Sequence, residues 1–486
     1  MLQLNSYRIE RYGKWLSENK GKMLALRAIW PALAFAFLAL GNKVVFAVFA
    51  ALMFLLVPFK KKKAKKPLVY TARVKRLIIV YMVLGVAVVA GCFFVKDSIW
   101  APVIFLAAAL LVPHIISLAL LMAEPMEKGI ARHYYNDAKR ILASAKDLII
   151  IGVTGSYGKT SMKYIISSLL SEKYNVLMTP GSFNTTMGVV RTVREQLKPT
   201  HQVFVVEMGA KNKGDIKEIC DLVKPKYGVI SSIGPQHLET FKTIENIINT
   251  KFELAEAVRE NGGKMFLNYS NEYIKGYGFK GEFVSFGSDA ECDYRAEGMK
   301  YSSSGASFFI KGEELKTSLL GDFSAINIAG GVAVAEHLGV LADDIKVSVR
   351  RLKAPEHRLE LKKNPRYTVI DDAYNSNPGG STAALKTLSL FEERKILVTP
   401  GMVELGDEEY NLNKEMGRKA AHSADYIVLV GEKQAKPIAE GIREEGFDEE
   451  RLYIAKDIND ALSYVYKITD VPSVVLLEND LPDNFL

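Results

Sequence analysis

The first quarter of the chain is dominated by long runs of apolar residues. Residues 77–95 contain no charged side chain, and residues 99–122 are interrupted only by two prolines, a histidine and a serine. A helix needs roughly 20 apolar residues to cross the hydrocarbon core of a bilayer, so each run predicts a membrane-spanning helix. Two shorter runs, 24–40 and 43–59, predict either a helical hairpin or one long tilted or re-entrant segment. The pattern therefore predicts an α-helical membrane region of about four helices.

From about residue 147 the pattern changes to short apolar runs that alternate with helical stretches. Four of these runs have the length of buried strands: 148–153, 203–206, 227–231 and 264–267. This alternation predicts a parallel sheet with helices on both faces. A second series of strands and helices begins near Tyr367. We therefore predict two α/β domains, a central one over residues 124–348 and a Rossmann-like C-terminal one over residues 349–486.

The positive charge of the chain is concentrated near its N-terminus. The formal net charge is +8, but residues 1–76 contain 16 Lys and Arg against two Glu, so the remaining residues are net acidic. This distribution argues against nucleic acid as a partner. Basic residues flank membrane helices on the cytoplasmic side, so the lysine-rich run at 60–66 is predicted to be cytoplasmic. The sequence thus predicts a cytoplasmic segment over residues 1–22, a membrane region over residues 23–123 and the lipid bilayer as a partner.

The strongest chemical signal is a glycine-rich turn between a predicted strand and a predicted helix. It reads G-V-T-G-S-Y-G-K-T-S over residues 152–161. The backbone N–H groups of such a turn and the helix N-terminus bind phosphate. Lys159 supplies a charge for the terminal phosphates, and the Thr160 hydroxyl is placed to bind Mg²⁺. Val153 occupies the first glycine position of G-x-x-x-x-G-K-[ST], so the turn fits the shorter G-x-x-G-K-[ST] version. This makes the central domain a P-loop, ATPase-like domain with predicted phosphate contacts from Gly155, Ser156, Gly158, Lys159, Thr160 and Ser161.

Two further polar side chains follow predicted strands of the same domain. Glu207 comes directly after the strand at 203–206, and His237 follows the strand at 227–231. In an open α/β sheet, ligands bind at the carboxyl ends of the strands. A carboxylate there is suited to hold a Mg²⁺ that bridges nucleotide phosphates. We therefore predict that Glu207 binds magnesium. The position of His237 alone does not indicate a functional role, and Lys251 has the features of an ordinary surface lysine.

Several stretches together resemble the Mur ligase family, most closely the branch that adds D-alanyl-D-alanine to a UDP-N-acetylmuramoyl tripeptide. The matching stretches occur in the family's order along the chain. They are residues 154–161, 179–184, 207–209, 233–239 with 245–251, 354–360 and 371–378.

The resemblance implies a site built from residues that are far apart in the chain. In that family the lysine that matches Lys251 is carbamylated by CO₂, and magnesium would attract a carbamate but repel an ammonium. The implied metal ligands are Thr160, Glu207, His237 and carbamylated Lys251. The implied catalytic residues are Lys159, His237, Lys251 and Arg358. Further nucleotide contacts are implied for Asn327 near the adenine, Asp372 near the ribose and Arg358 at the phosphates. The implied acceptor contacts are Ser182, Asn184, Thr185, Asn375 and Asn377.

The chain also departs from the family's pattern. Membrane helices are predicted where the family carries a soluble domain that holds the UDP-sugar, so we expect a lipid-linked precursor rather than a UDP-linked one. Phe323 and Ser324 replace the family's usual His-Asn pair, and Gly401 stands where an aspartate is usual. Details of nucleotide binding are therefore expected to differ.

Together these features predict an ATP-dependent, ADP-forming amide-bond ligase with ATP and Mg²⁺ as cofactors, located at the bacterial cell membrane as a multi-pass protein. It would activate a carboxylate of a cell-wall peptide precursor as an acyl phosphate and join it to an amino acid or a D-Ala-D-Ala-type dipeptide. Three alternatives stay open. They are a membrane-bound synthase of a polyamide such as poly-γ-glutamate, a nucleotide-driven membrane transporter or switch, and a non-catalytic scaffold.

Overall fold

The computed structural model describes residue 7 and residues 9–18, 69–94, 112–236, 238–374 and 376–480. These residues divide into two compact units, one before residue 134 and a larger one from residue 134 onwards. The N-terminal helices are α1 Ile9–Glu18, α2 Ala72–Phe94 and α3 Val112–Ser144.

The first unit is held together by an apolar cluster and a paired charge. Tyr12 of α1, Leu77 of α2 and Leu120 of α3 are buried in one cluster. Arg76 donates two hydrogen bonds, of 2.6 and 2.9 Å, to the carboxylate of Glu127. Two parallel hydrogen bonds of this kind fix the orientation of both side chains. They join α2 to α3 next to the apolar cluster.

The structure corrects the predicted membrane region. The predicted helices 24–40 and 43–59 lie outside the described residues, and the predicted helices 77–95 and 99–122 lie only partly within them. In the part of the chain that the structure describes, no helix combines the length and the apolar character needed to span a bilayer. Helix α2 carries three basic residues in its first turns, and α3 becomes charged from Glu124 onwards. This finding contradicts the predicted membrane region and the multi-pass membrane localisation inferred from it, and it leaves the bilayer unsupported as a partner.

The central domain is built on a seven-stranded parallel sheet in the order β2-β3-β1-β4-β5-β6-β7. Its strands are β1 Ile149–Thr154, β2 Val176–Met178, β3 Val203–Glu207, β4 Tyr227–Ile230, β5 Lys264–Asn268, β6 Phe283–Gly287 and β7 Tyr294–Arg295. Its helices are α4 Lys159–Leu170, α5 Thr186–Gln196, α6 Asp215–Val223, α7 Leu238–Phe241, α8 Ile244–Glu260 and α9 Glu272–Gly276. A three-stranded antiparallel sheet and two helices follow: β8 Glu297–Ser302, β9 Gly305–Ile310, β10 Glu313–Thr317, α10 Ser324–His337 and α11 Ala342–Arg351.

Helices cover both faces of the central sheet, which explains the continuous apolar runs of its strands. Ile151 and Val205 belong to the apolar cluster on the α4 and α10 side. Their chain neighbours Ile150 and Phe204 belong to the cluster on the α6 and α8 side. Successive side chains of a strand point to opposite faces of the sheet. A strand that is buried on both faces therefore carries apolar side chains at successive positions, without the alternation of apolar and polar residues.

The C-terminal domain contains a six-stranded sheet in the order β11-β12-β16-β13-β14-β15, in which only β11 is antiparallel. Its strands are β11 Glu360–Lys363, β12 Thr368–Asp372, β13 Arg394–Thr399, β14 Tyr426–Val430, β15 Leu452–Ala455 and β16 Ser473–Glu478. Its helices are α12 Pro378–Leu388, α13 Glu409–Ser423, α14 Ala435–Glu444 and α15 Ile458–Ile468, with short 3₁₀ turns at Gly406–Glu408 and Glu449–Arg451. The α/β part of the predicted fold is therefore present. The predicted boundary at residue 349 falls within α11, and the domain limits stay a prediction.

Helices α13 and α14 of the C-terminal domain approach each other at two glycines. A Cβ atom at Gly417 would lie 2.1 Å from the carbonyl oxygen of Ile438, and one at Gly441 would lie 2.0 Å from that of Lys414. These contacts are with backbone atoms, which cannot move aside as the end of a flexible side chain can. The absence of side chains at these positions allows the close approach of the two helices.

We expect Gly417→Ala to destabilise the protein by roughly 1–3 kcal/mol, because the added methyl group must push the two helices apart. Urea denaturation followed by circular dichroism measures the change. Gly276→Ala is the matched control, since no atom lies within 4 Å of the added Cβ. The control should change stability by no more than about 0.5 kcal/mol. Equal effects of the two substitutions would contradict the close helix packing.

Candidate nucleotide and metal site

The phosphate-binding turn, Glu207 and the loop after β4 meet at one edge of the central sheet. Val153 of β1 pairs with Glu207 of β3, and Thr154 pairs with Ile230 of β4. The Thr154 hydroxyl donates to the carbonyl oxygen of Met208 at 2.8 Å. Parallel strands bring their carboxyl ends to the same edge, so three separate segments of the chain form one crevice.

The turn itself needs glycine at two positions. Gly155 has a φ of +154° and Gly158 a φ of +75°. A Cβ atom at Gly155 would lie 2.3 Å from the Ser231 hydroxyl oxygen. The turn is therefore pressed against the loop after β4, and the N–H of Ser156 donates to the carbonyl oxygen of Ser232 at 2.6 Å.

The turn also contains a polar atom that lacks a partner. The hydroxyl of Ser156 is buried and, among the described residues, has no hydrogen-bond partner. A buried hydroxyl is almost always hydrogen-bonded in a protein, and a phosphate oxygen would satisfy it. The residues of this turn therefore fit a bound phosphate group.

Lys159 begins α4 and turns its side chain back over the turn. Its Nζ donates to the carbonyl oxygens of Gly155 and Ser156, both at 2.8 Å. Burial lowers the pKa of Lys159 to about 8, an effect that Glu207 opposes and Arg358 strengthens. The guanidinium of Arg358 lies 4.2 Å from the centre of the Tyr374 ring. The structure thus brings the predicted residues Lys159, Glu207 and Arg358 close enough for their charges to affect one another.

Glu207 is fully enclosed and holds two partners. Its Oε1 accepts a hydrogen bond of 3.0 Å from Nδ2 of Asn184, and its Oε2 lies 3.1 Å from Nζ of Lys163. Lys163 is completely buried and also donates to the carbonyl oxygen of Gly181 at 2.5 Å. Sequence reasoning missed Lys163. Its position one helical turn after Lys159 was the signal that could have identified it.

Lys251 lies on α8 and is only 1% exposed. Sequence reasoning from the residues alone took it for a surface lysine, and the structure corrects this. Burial lowers the pKa of Lys251 well below its ordinary value, the charge of Lys159 adds to this, and Glu253 and Asp215 oppose it. The amine of Lys251 is therefore held toward its neutral, nucleophilic form.

The metal site is described only in part. His237 lies outside the described residues. Within the described ranges, no three His, Cys, Asp or Glu side chains come together as a metal-binding group. The carboxylate of Glu207 and the hydroxyl of Thr160 are oxygen donors of the kind that Mg²⁺ prefers. They fit the metal, but the assignment of Thr160, Glu207, His237 and Lys251 as its ligands stays a prediction.

A cavity beside α4 brings together two of the residues predicted to contact the rest of the nucleotide, Asn327 and Arg358, whereas Asp372 does not line it. Ser161, Asn327 and Arg358 line it together with Ser324. A Cβ atom at Gly158 would lie 3.4 Å from the side-chain oxygen of Asn327, so this side chain lies against the phosphate turn. The Ser324 hydroxyl is buried and has no hydrogen-bond partner in the described part of the chain. The cavity thus continues the phosphate site toward α10.

Two carboxyl groups lie side by side at the carboxyl edge of the C-terminal sheet. Asp372 of β12 pairs with Glu478 of β16. Burial raises the pKa of Asp372 to about 6 although Arg358 opposes the shift. Burial also raises the pKa of Glu478 to about 7, against hydrogen bonds from the hydroxyls of Ser376 and Thr399. Sequence reasoning identified Asp372 but missed Glu478.

The predicted acceptor residues already have structural partners. Thr185 caps α5 by accepting from the N–H of Gly188 at 3.3 Å, and Asn377 caps α12 by accepting from the N–H of Gly380 at 2.8 Å. Asn184 binds Glu207, as described above, and Ser182 is half-buried in the same loop. Asn375 lies outside the described residues. Contacts of these five residues with an acceptor stay a prediction.

Comparisons with known proteins agree with this arrangement. The sequence pattern of the Mur ligase middle domain matches residues 153–335, and that of the Mur ligase, glutamate ligase domain matches residues 357–478. The UDP-N-acetylmuramoyl-tripeptide–D-alanyl-D-alanine ligase of Bacillus subtilis (strain 168) is 31% identical over 336 residues, which are 68% of this chain and 72% of that protein. The Escherichia coli (strain K12) enzyme of the same name is 28% identical over 354 residues, which are 69% of this chain and 77% of that protein.

Solved structures give the same result. The crystal structure of MurF from Acinetobacter baumannii has a TM-score of 0.65 and 25% identity, and the match covers 72% of this chain and 77% of that one. The MurF ligase of Thermotoga maritima in complex with ADP shares the fold, with a TM-score of 0.65, 24% identity, and coverage of 72% of this chain and 80% of that one.

The fold and the site define an ATP-dependent, ADP-forming ligase of acids and amino acids. The chain belongs to the Mur ligase family. Enzymes of this family use ATP and Mg²⁺, so the nucleotide and the metal of the prediction are confirmed at this level.

We expect the stability of the protein to fall as the pH rises from about 4.5 to about 7, because burial raises the pKa of Glu478 from 4.5 to about 7. Between these values the folded protein binds more protons than the unfolded chain, so folding is favoured at the acidic end. The Glu478→Gln variant cannot ionise at this position. Between pH 5 and pH 8 its free energy of unfolding should therefore increase by roughly 2–3 kcal/mol relative to that of the unsubstituted protein.

Urea unfolding of both proteins at pH 5 and pH 8 measures this difference. Glu313→Gln, at a side chain that is 68% exposed, is the matched control and should show a difference that does not depend on pH. Parallel pH–stability curves for Glu478→Gln and the unsubstituted protein would contradict the burial effect.

Proposed function

We propose that this ligase joins D-alanyl-D-alanine, or a similar amino acid or dipeptide, to the terminal carboxylate of a cell-wall peptide of the muramoyl-tripeptide type. The observation that carries the proposal is the direct contact between Glu207, beside the phosphate turn, and Asn184 of the predicted acceptor loop. The names of the B. subtilis and E. coli relatives support this choice of substrates.

The first step forms an acyl phosphate. An oxygen of the acceptor carboxylate attacks the γ-phosphorus of ATP, the bond to the bridging oxygen breaks, and ADP leaves. Such a step needs positioning and neutralised charge rather than covalent help from the protein. Lys159 and Arg358 supply positive charge at the phosphates, and the N–H groups of the turn hold them in place. Bound magnesium, held by Thr160, Glu207, His237 and modified Lys251, would supply further neutralisation of phosphate charge.

The second step forms the amide. The neutral amine of the incoming dipeptide attacks the acyl carbon, phosphate leaves, and the nitrogen loses a proton. Arg358 of the C-terminal domain lines the cavity beside α4, and the N–H of its neighbour Leu359 donates to Asp372 at 3.2 Å. We therefore assign Arg358 and Asp372 to holding the nucleotide while the amine reacts.

We further propose that Lys251 carries a carbamate. Its neutral amine attacks the carbon of CO₂, an N–C bond forms while one C=O π bond breaks and its electron pair moves to oxygen, and the nitrogen loses a proton, so a potential cation becomes an anion. Complete burial and a lowered pKa favour the neutral amine that this reaction needs. The product would be attracted to magnesium, whereas an ammonium would be repelled.

The function is tested by incubating the protein with ATP, Mg²⁺, D-alanyl-D-alanine and either UDP-linked or lipid-linked muramoyl tripeptide. We expect ADP release that needs both amine and acceptor, and a product heavier by one dipeptide in mass spectrometry. Whichever of the two acceptors is extended shows whether the peptide substrate is linked to UDP or to a lipid. Lys159→Met should reduce the rate by at least about 100-fold. Extension by L- or D-glutamate instead would contradict the proposal and favour a polyamide synthase.

The carbamate is tested with ¹³CO₂. We expect a carbamate signal in the ¹³C NMR spectrum of the unsubstituted protein and its loss in Lys251→Ala. Ligase activity should fall roughly 100-fold in the variant and recover partly with added acetate, which restores a carboxylate. Lys226→Ala, at an exposed lysine whose Nζ donates to the Gly262 carbonyl oxygen at 2.7 Å, is the control and should keep both signal and activity. An unchanged ¹³C signal in Lys251→Ala would place the carbamate elsewhere.

A further inference from the structure

Lys163 joins two parts of the site that sequence reasoning treated separately. It lies on α4 and is completely buried. Its Nζ contacts the Glu207 carboxylate at 3.1 Å and the Gly181 carbonyl oxygen at 2.5 Å. A buried ammonium is tolerated only where its partners offset the loss of hydration. Here one partner belongs to the predicted metal site and the other to the predicted acceptor loop.

The acceptor loop, residues 179–184, is attached to the end of β3 at both of its ends. The Thr179 hydroxyl accepts from the N–H of Glu207 at 3.0 Å. The Asn184 side chain donates to Glu207, and the backbone carbonyl oxygen of Asn184 accepts from the N–H of Gly209 at 2.7 Å. Between these attachments, the carbonyl group of Gly181 is bound by Lys163. The centre of the loop is therefore fixed from α4 rather than from β3.

Helix α4 consequently carries two functions one turn apart. Lys159 lies at its N-terminus on the phosphate turn, and Lys163 binds the acceptor loop. An α-helix keeps such positions at a fixed separation of about 6 Å along its axis. The spacing between the phosphate site and the acceptor loop is thus set by a single rigid element.

We propose that Lys163 is a positioning residue, which holds the acceptor loop so that the acceptor carboxylate lies next to the phosphate site. The inference rests on the proposed function, because the loop's role in acceptor binding belongs to that proposal. In-line attack requires reacting atoms about 3–3.5 Å apart, and a displacement of about 1 Å can cost on the order of 100-fold in rate. Release of the Gly181 carbonyl would produce such a displacement.

The test is Lys163→Met, which keeps the length of the apolar stem and removes the ammonium. In protein without substrate, hydrogen exchange of the peptide that covers residues 179–185 should become faster, by about tenfold or more. The KM of the muramoyl acceptor should rise by about tenfold or more, while the KM of ATP should change by less than about threefold. Faster loop exchange together with this split between the two KM values would support a positioning role.

Two further variants complete the design. Lys173→Met removes a lysine just beyond the end of α4 whose Nζ donates to the carbonyl oxygens of Leu338 and Gly339, and it should leave the loop and both KM values unchanged. Lys163→Gln retains a donor for the Gly181 carbonyl and should give a smaller effect. It also provides the same measurements if Lys163→Met does not fold.

Unchanged loop exchange, or KM values of ATP and acceptor that rise in parallel, would overturn the inference and reduce Lys163 to a counter-charge for Glu207. Failure of the proposed function is distinguishable. In that case the unsubstituted protein makes no product from any muramoyl peptide, while loop exchange in Lys163→Met still reports whether Lys163 holds the loop.

Discussion

The concentration of buried charge at the carboxyl edge of the central sheet is the constraint on which the site depends. Glu207 and Lys163 are nearly without contact with water, and Lys251 is equally enclosed. Each buried ion costs several kcal/mol in lost hydration unless a partner compensates it. Glu207 is shared between Lys163 and Asn184, whereas in the described part of the chain the hydrogen bonds of the Lys159 ammonium go to the carbonyl oxygens of Gly155 and Ser156. The edge therefore has an excess of positive charge, which suits a polyphosphate.

The second α/β domain contributes to this edge through contacts with the phosphate turn. Tyr157, in the turn, donates its hydroxyl hydrogen bond to the Pro235 carbonyl oxygen at 2.7 Å. Its ring lies 3.3 Å from where a Cβ atom would be at Gly379, in the first turn of α12. A side chain at Gly379 would press on this ring. The phosphate turn, the loop after β4 and the start of α12 are thus packed around one tyrosine. Arg358 of the same C-terminal domain lowers the pKa of Lys159.

Local pattern was enough to predict the parts of the site that are contiguous in sequence. The phosphate turn is one segment, and Glu207 follows from the rule that strand ends meet at one edge. The burial of Lys163, Lys251 and Glu478 depends on packing between distant segments, which spacing does not reveal. The membrane prediction rested on hydropathy along the sequence, whereas in the part of the chain that the structure describes no helix is long and apolar enough to span a bilayer.

The hydrogen bonds of the acceptor loop limit which of its side chains can recognise a substrate. The Asn184 amide is bound to Glu207, and the Thr185 hydroxyl caps α5. To contact an acceptor through these same atoms, both groups would have to give up these bonds, and the buried Glu207 carboxylate would lose one of its two partners and keep Lys163. The half-buried hydroxyl of Ser182 and the 37% exposed ring of Phe183 carry no such penalty. Under the proposed acceptor role, selectivity on this loop would therefore depend on its backbone shape and on these two side chains, so an interaction that fixes the backbone at Gly181 would affect recognition without touching the substrate.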